Sequence, residues 1–490
     1  MAKSRDVMGT TRLLCLMLSS LFFSGQSHAA TATVPAAPPT ATLQSLSEPW
    51  VQPIRRPLSI KGYKTLSGTK ILFIRTRGLP MFDVHVSFVA GSAHTAHQPG
   101  LAAMTYGLLN EGVAGKDVNA IQETFDGLGA ELGMDIDHDR ANFSLRSLSD
   151  ESRRAPALEL FAQVLGKPLL AQDSLPAVKS QLLHLMDVNK QSHATEADQA
   201  LMGMLFPGHG YAQSIYGTSD GLASITRAQV QAFHRQAYAA GNALITLVGD
   251  LSEEDAQHIG AQIADALPQG AAIAALGAPV SPSGTQRLLR VERSSTQAYL
   301  RLAQPSVPRN DPDYLALRIA SRIFTTRLMT DLRERRGLTY DVYAGITALQ
   351  AQEILAIELQ TRPNLADAVL VRIKEMFDEF LTDGPTQKEL DNAQLRLTGS
   401  EPLKTSSNRQ ILARLYDIGV NDLALEFDYS TQKTLELSLE SVKNALNRHF
   451  DAQRWRVVIL GPTIDQEPLP TFTQSEANAM CRATDEFVAS

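Results

Sequence analysis

Cysteine is almost absent from this chain, with 2 in 490 residues. Cys15 lies in the first apolar run. Removal of that run would leave Cys481 alone and exclude an intramolecular disulfide, so stability must come from the core. An excess of charge is lacking too. The 45 Lys and Arg stand against 52 Asp and Glu, a net charge of −7. Without a basic face nothing supports nucleic-acid binding. No later apolar run approaches the roughly 18 residues of a spanning helix, so no membrane span is expected in the mature chain. There is no P-loop, no G-x-G-x-x-G after a strand and no G-x-S-x-G elbow. Phosphate-cradling and nucleophilic-serine chemistries fall away with them.

What is present begins with a targeting segment. Lys3, Arg5 and Arg12 precede the short apolar run of residues 13–23, and Ser27, His28, Ala29 and Ala30 offer small residues for cleavage. Residues 1–30 read as a secretory signal peptide, with a retained anchor as the alternative. Arg12, Leu13 and Leu14 lack the small residues of a lipoprotein box before Cys15. The mature chain is expected across the inner membrane, in the periplasm. Residues 31–62, rich in Ala, Pro and Thr, read as a spacer. Order is expected from near Tyr63, with a strand at Lys70–Arg75.

The chain then repeats itself. Val230, Tyr238 and Gly249 have the same spacing as Val442, Phe450 and Gly461, an offset of 212 residues. Each copy reads as a helix capped by Thr or Ser, then an aromatic residue, then a buried strand closed by glycine. The same offset carries Phe88 onto Leu300 and Gly100 onto Pro312. Strand 296–302 and helix 313–324 should therefore repeat the strand and helix of the first copy. The expected organisation is α+β, with two homologous domains at 63–267 and 286–465. Residues 268–285 form the linker and 466–490 a tail. Each domain should be a mostly antiparallel sheet with helices on one face.

Several short motifs occur in order. Gly91-Ser92 precedes Gly100-Leu101-Ala102. Tyr216-Gly217-Thr218 precedes Gly221-Leu222 and Ile225-Thr226. Later come Arg327-Leu328, Leu332-Arg333-Glu334 and Arg336-Gly337-Leu338-Thr339-Tyr340. As an ordered set over most of the mature chain, they resemble the pitrilysin-type (inverzincin) zinc peptidases. That resemblance implies two similar domains around a chamber, zinc in one wall and a peptide added to an edge strand. Here the edge strand of the first domain would be 131–136. The family's helix carries H-x-x-E-H. The corresponding positions are Ala103, Tyr106 and Gly107, so both histidines and the glutamate are missing. The third family ligand, counted along the chain, falls at His184. A catalytic zinc needs three protein ligands and an open position. One imidazole does not supply them, so no metal site and no cofactor are assigned to this chain. His94 and His97 share a loop, and His138 and His209 look isolated.

The resemblance also implies that an arginine and a tyrosine seven residues apart reach the peptide from the second domain. Arg333 and Tyr340 have that spacing. The alternative is a solvated helix end, with Glu334, Arg335 and Arg336 beside Arg333. The expected function is the zinc-lacking subunit of a secreted heteromeric metallopeptidase. A homologous partner would carry zinc, and this chain would be inactive alone. The second reading is a non-catalytic assembly or peptide-binding subunit with the same fold.

Overall fold

Two sheets organise the residues that the computed structural model describes, 58–277, 279, 286–347 and 349–470. The signal-peptide reading, most of the spacer, part of the linker, the end of the tail, Cys15 and Cys481 lie outside them. The strands of the first half are β1 (Lys61–Lys64), β2 (Lys70–Arg75), β3 (Met81–Phe88), a small hairpin of β4 (Gly112–Val113) and β5 (Lys116–Asp117), β6 (Glu131–Ile136), β7 (Ala141–Leu148) and β8 (Ala243–Gly249). The second half holds β9 (Leu288–Glu292), β10 (Ala298–Pro305), β11 (Val342–Thr347), β12 (Ile354–Thr361) and β13 (Arg456–Gly461). The first sheet runs β1-β2-β8-β3-β7-β6 and the second β11-β12-β10-β13-β9. The order β2-β8-β3-β7-β6 is that of β9-β13-β10-β12-β11. In each sheet one pair is parallel, β2 with β8 and β13 with β9, and the other pairs are antiparallel. β6 is an edge strand, as expected.

Strand β8 is buried along its whole length, and its run, apolar but for Thr246, requires cover on both faces. Successive strand residues point to opposite faces. Ile71, Phe73, Ile245 and Leu247 enter the core shared with the first half's own helices. Leu72, Ile74 and Val248 face the other way, onto Ile411, Leu412, Leu415 and Ile418. Those four belong to a helix of the second half, Asn408–Val420. The second sheet is treated alike. Val457 and Ile459 enter its own core. Val458 and Leu460 meet Ala197, Leu201 and Leu205 from the first half's helix His193–Leu205. The expectation of helices on one face therefore holds for each half's own helices, and a helix from the opposite half covers the second face. Ion pairs pin both crossings. Arg301 on β10 binds Asp198, Arg293 Nε donates to Glu196 Oε2 at 2.9 Å, and Lys70 binds Asp422 while its Nζ also donates to the Gly419 carbonyl at 3.1 Å.

The repeat holds at its ends and slips at its first strand. Helix Arg227–Ala237, with a Thr226–Gln229 capping box, maps at the 212 offset onto Leu439–His449, capped by Ser438. Val248 pairs with Asp83, while Leu460, at that offset, pairs with Tyr299. Asp83 and Tyr299 lie 216 apart. The counterpart of Leu300 is thus Val84 rather than Phe88. A shift of four residues keeps every side chain on its face, so alternation of apolar residues is blind to it. The repeated helix begins at Tyr314, close to the expected start, and runs to Leu328.

Candidate functional site

Helix Leu101–Leu108 carries the degenerate positions. Ala103 is fully buried. A Cβ on Gly107 would lie 2.7 Å from Val178 Cγ1, so helix Leu175–Gln191 packs against the bare glycine. Tyr106 is half-buried. Its ring lies 5.6 Å from that of Phe143, which in turn lies 6.1 Å from Phe88 and 6.0 Å from Tyr238. Burial, with Asp135 and Tyr216 adding to it, pushes the Tyr106 phenol well above its ordinary value. A neutral ring thus stands where the family resemblance implies a general base. His184 is exposed, because its helix buries Leu175, Val178, Leu182 and Met186 instead. The residues here do not fit a zinc ion, and no step of chemistry is routed through one. Among the described residues, the set of three His, Asp or Glu ligand atoms within 4.8 Å of one another is Asp311, Asp313 and His449, in the second half. There the Asp313 carboxylate is already engaged by Arg448 and His449.

Sequence spacing missed a gathering of histidines. His138 and His209, which look isolated, flank Tyr211, with ring centroids 5.8 Å and 4.5 Å away. His94 belongs to the same neighbourhood. Burial, then Arg140 and His209, lowers it to about 4, and burial, then His209, lowers His138 to about 4. The Tyr211 hydroxyl donates to Asp139 Oδ1 at 2.5 Å and accepts from the Ala351 N–H at 2.9 Å; Asp139 Oδ2 accepts from Gln350 N–H at 3.0 Å. This buried polar knot fastens a loop of the second half to the first. A signal for it existed in Tyr211 following His209, but no spacing rule links those residues to position 139.

Arg333 and Tyr340 sit at the other end of the repeat. Helix Tyr314–Leu328 passes into a π-helical turn, Met329–Arg335, a feature that often marks functional positions. Leu332 is buried, and Asp331 accepts from Arg336 Nε at 2.9 Å and Arg372 Nε at 3.3 Å. Gly337, with φ +57°, turns the chain in a conformation other residues resist. Leu338 N–H then returns to the Leu332 carbonyl at 2.8 Å, and the Thr361 hydroxyl donates to the Leu338 carbonyl at 2.7 Å. These ties hold Tyr340 outward, 86% exposed, at the foot of β11. The Arg333 guanidinium lies 5.3 Å from the centre of the Tyr340 ring. Arg333 is exposed and makes no ion pair among the described residues. The structure therefore brings Arg333 and Tyr340 together and leaves His184 exposed on the helix that packs against Gly107.

Comparisons with known proteins agree with this picture. A family model described as Peptidase M16 inactive domain matches residues 224–397. A solved structure of a peptidase M16 inactive domain from Pseudomonas fluorescens is 43% identical, with a TM-score of 0.80, covering 84% of this chain and 100% of that one. A Helicobacter pylori relative called a non-peptidase homolog, YmxG, is 23% identical over 388 residues, covering 78% of this chain and 89% of the relative. The periplasmic protease PqqL of Escherichia coli shares the fold at 14% identity and a TM-score of 0.70, with 87% of this chain matching 50% of that one. The chain belongs to the peptidase M16 family and is of its inactive type. Among its described residues no helix is long and apolar enough to cross a membrane.

Proposed function

We propose that this chain is the zinc-lacking subunit of a secreted, periplasmic heteromeric metallopeptidase, and that it lends Arg333 and Tyr340 to a homologous partner that carries zinc. The observation that carries this reading is the contrast between the two halves. The position where the resemblance implies a metal is packed with aromatic and apolar groups, whereas an arginine and a tyrosine stand exposed and adjacent, with no ion pair among the described residues. A guanidinium offers a fixed fork of donors to a peptide carbonyl or carboxylate. A phenol can donate to the oxyanion that develops on an attacked carbonyl. The chain would also supply half of the peptide chamber. The fold shared with one half of PqqL supports a unit that seeks a second half.

The test is co-expression with a secreted homologue bearing the zinc motif, followed by cleavage of a flexible peptide. The chain alone is expected to be inactive and the pair active, with activity lost on Tyr340→Phe. Pair activity that survives changing both Arg333 and Tyr340 would favour the non-catalytic assembly or peptide-binding role, for which the name of the Helicobacter relative speaks.

A further inference from the structure

A second feature of the Tyr314–Leu328 helix lies one to two turns from its start. A cavity of about 420 Å³ opens where this helix meets helices Gln387–Ser400 and Asn408–Val420, and five cations line it: Arg309, Arg318, Arg322, Lys404 and Arg414. That concentration is unexpected in a chain of net charge −7. Three of the five are matched within the protein. Arg309 Nη2 lies 2.6 Å from Asp417 Oδ2, and Glu401 takes both Lys404 and Arg414 at 2.7 Å. The other two have no ion pair or side-chain hydrogen bond among the described residues. Arg318 is the half-buried one of these, Arg322 the exposed one. They stand four residues apart on one face of a helix, a spacing at which like charges repel. Burial, then Arg309, pushes the Arg318 guanidinium down to about 10. A cation desolvated beside other cations costs stability unless something pairs with it.

The surroundings suit an oxyanion. Arginine binds a carboxylate through two parallel donors, and Ser430 and Gln410 add polar groups to the same wall. The pocket is not isolated from the Arg333–Tyr340 pair. Leu315, Arg318, Arg322, Thr325 and Met329, all half-buried or exposed, recur every three to four residues along this helix stretch up to Arg333. At ~1.5 Å per helical residue, Arg318 and Arg333 are separated by roughly 20 Å, the span of about six extended peptide residues.

We propose that this pocket is a carboxylate subsite, in which Arg318 and Arg322 hold an acidic group of the peptide that reaches Arg333 and Tyr340. The carboxylate is either an acidic side chain or the peptide's C-terminus. This rests on the reading of Arg333 and Tyr340 as peptide-facing.

Binding to the full-length isolated chain tests it without any need for activity. Three fluorescent peptides of one flexible backbone serve as probes: acidic with an amidated end, neutral with an amidated end, and neutral with a free C-terminus. The acidic peptide, the free-ended peptide or both should bind roughly tenfold tighter than the neutral amidated one, by anisotropy at low salt. Whichever is preferred identifies the source of the carboxylate. The preference should vanish in Arg318→Gln and Arg322→Gln and persist in part in Arg318→Lys. Thermal melting of Arg318→Gln should be no lower than that of the parent, since an unpaired cation is removed. Equal binding of all three peptides overturns the proposal, and so does a preference that survives Arg318→Gln. Saturation by inorganic phosphate alone, with no peptide preference, also overturns it in favour of a small-anion site. Tyr340→Phe and Arg333→Ala separate the two readings. If these variants weaken all three peptides equally and no carboxylate preference exists, the peptide-facing reading stands and the subsite falls. If they change nothing while the Arg318-dependent preference remains, the subsite stands and the role of the pair falls.

Discussion

The helices Leu101–Leu108 and Tyr314–Leu328 occupy equivalent places in the two halves, yet their chemistry has moved in opposite directions. The first is short, ends in core and is packed at the positions where the family resemblance implies ligands. The second runs twice as far, presents two arginines with no ion pair among the described residues and leads through a π turn to Arg333. A repeated fold thus keeps its helix in place whether or not the helix carries chemistry, because the packing positions are core. Gly107 and Ala103 show how complete the loss is, since neighbouring helices have closed over them.

The strongest way to break the comparison is to restore the first site. Ala103→His, Tyr106→Glu and Gly107→His together should destabilise the chain by at least ~3 kcal/mol, since each overpacked position costs about 1–3 kcal/mol. Purified triple variant should melt far lower and hold no zinc by elemental analysis. A folded variant with one tightly bound zinc would overturn the account of the closed helix.

At the second site the effect should be on rate instead. Tyr340→Phe is expected to lower peptide cleavage by the pair about 10²–10³-fold, while melting stays within a degree or so, because the ring is exposed. A large fall in melting temperature would mean that Tyr340 serves the fold.

The exchanged helices allow a symmetric test. Leu201→Ala and Leu415→Ala each delete a buried side chain from a helix lying on the opposite half's sheet. Each should cost about 2–4 kcal/mol in urea unfolding. A cooperative single transition in both variants would show that the halves unfold together. Two transitions in either would show them separable.

The pH dependence is the last of these effects. Burial holds His85, His94 and His138 at about 4. Their folded values lie below the unfolded value of about 6.5, so the unfolded chain takes up protons first. Stability is complete above that value and declines as pH falls towards 4. Glu353, raised to about 7 by burial, acts in the opposite sense. Its contribution is present at low pH and fades as pH rises from about 4.5 to 7. The three histidines together outweigh the one carboxyl, so stability should fall between pH 7 and 4. Glu353→Gln should steepen the decline, and melting curves across that range measure both.

Much of the fold was legible in sequence because its markers are local. Thr226 and Ser438 announce helix starts, and Gly249 and Gly461 close strands whose neighbours are wholly apolar. The four-residue slip at Phe88 was invisible because an even shift preserves inward and outward faces. Exchange of helices His193–Leu205 and Asn408–Val420 was invisible for another reason. An amphipathic stripe states that a face is covered, never by which part of the chain. The absence of H-x-x-E-H was plain in the sequence. The proximity of Arg333 to Tyr340 was suggested by spacing and given geometry by the π turn and Gly337. The knot of Tyr211, Asp139 and the histidines could not be read, since its members are distant in sequence and no periodic pattern joins them.

The crossing of helix Asn408–Val420 onto the first sheet also governs how the protein comes into being. While the ribosome has released only the first half, Leu72, Ile74 and Val248 have nothing to lie against and stay sticky. Completion of that half awaits residues made some 160 positions after Val248, near the end of synthesis. An early stop codon anywhere before the crossing helix therefore yields an aggregation-prone fragment rather than a smaller working module.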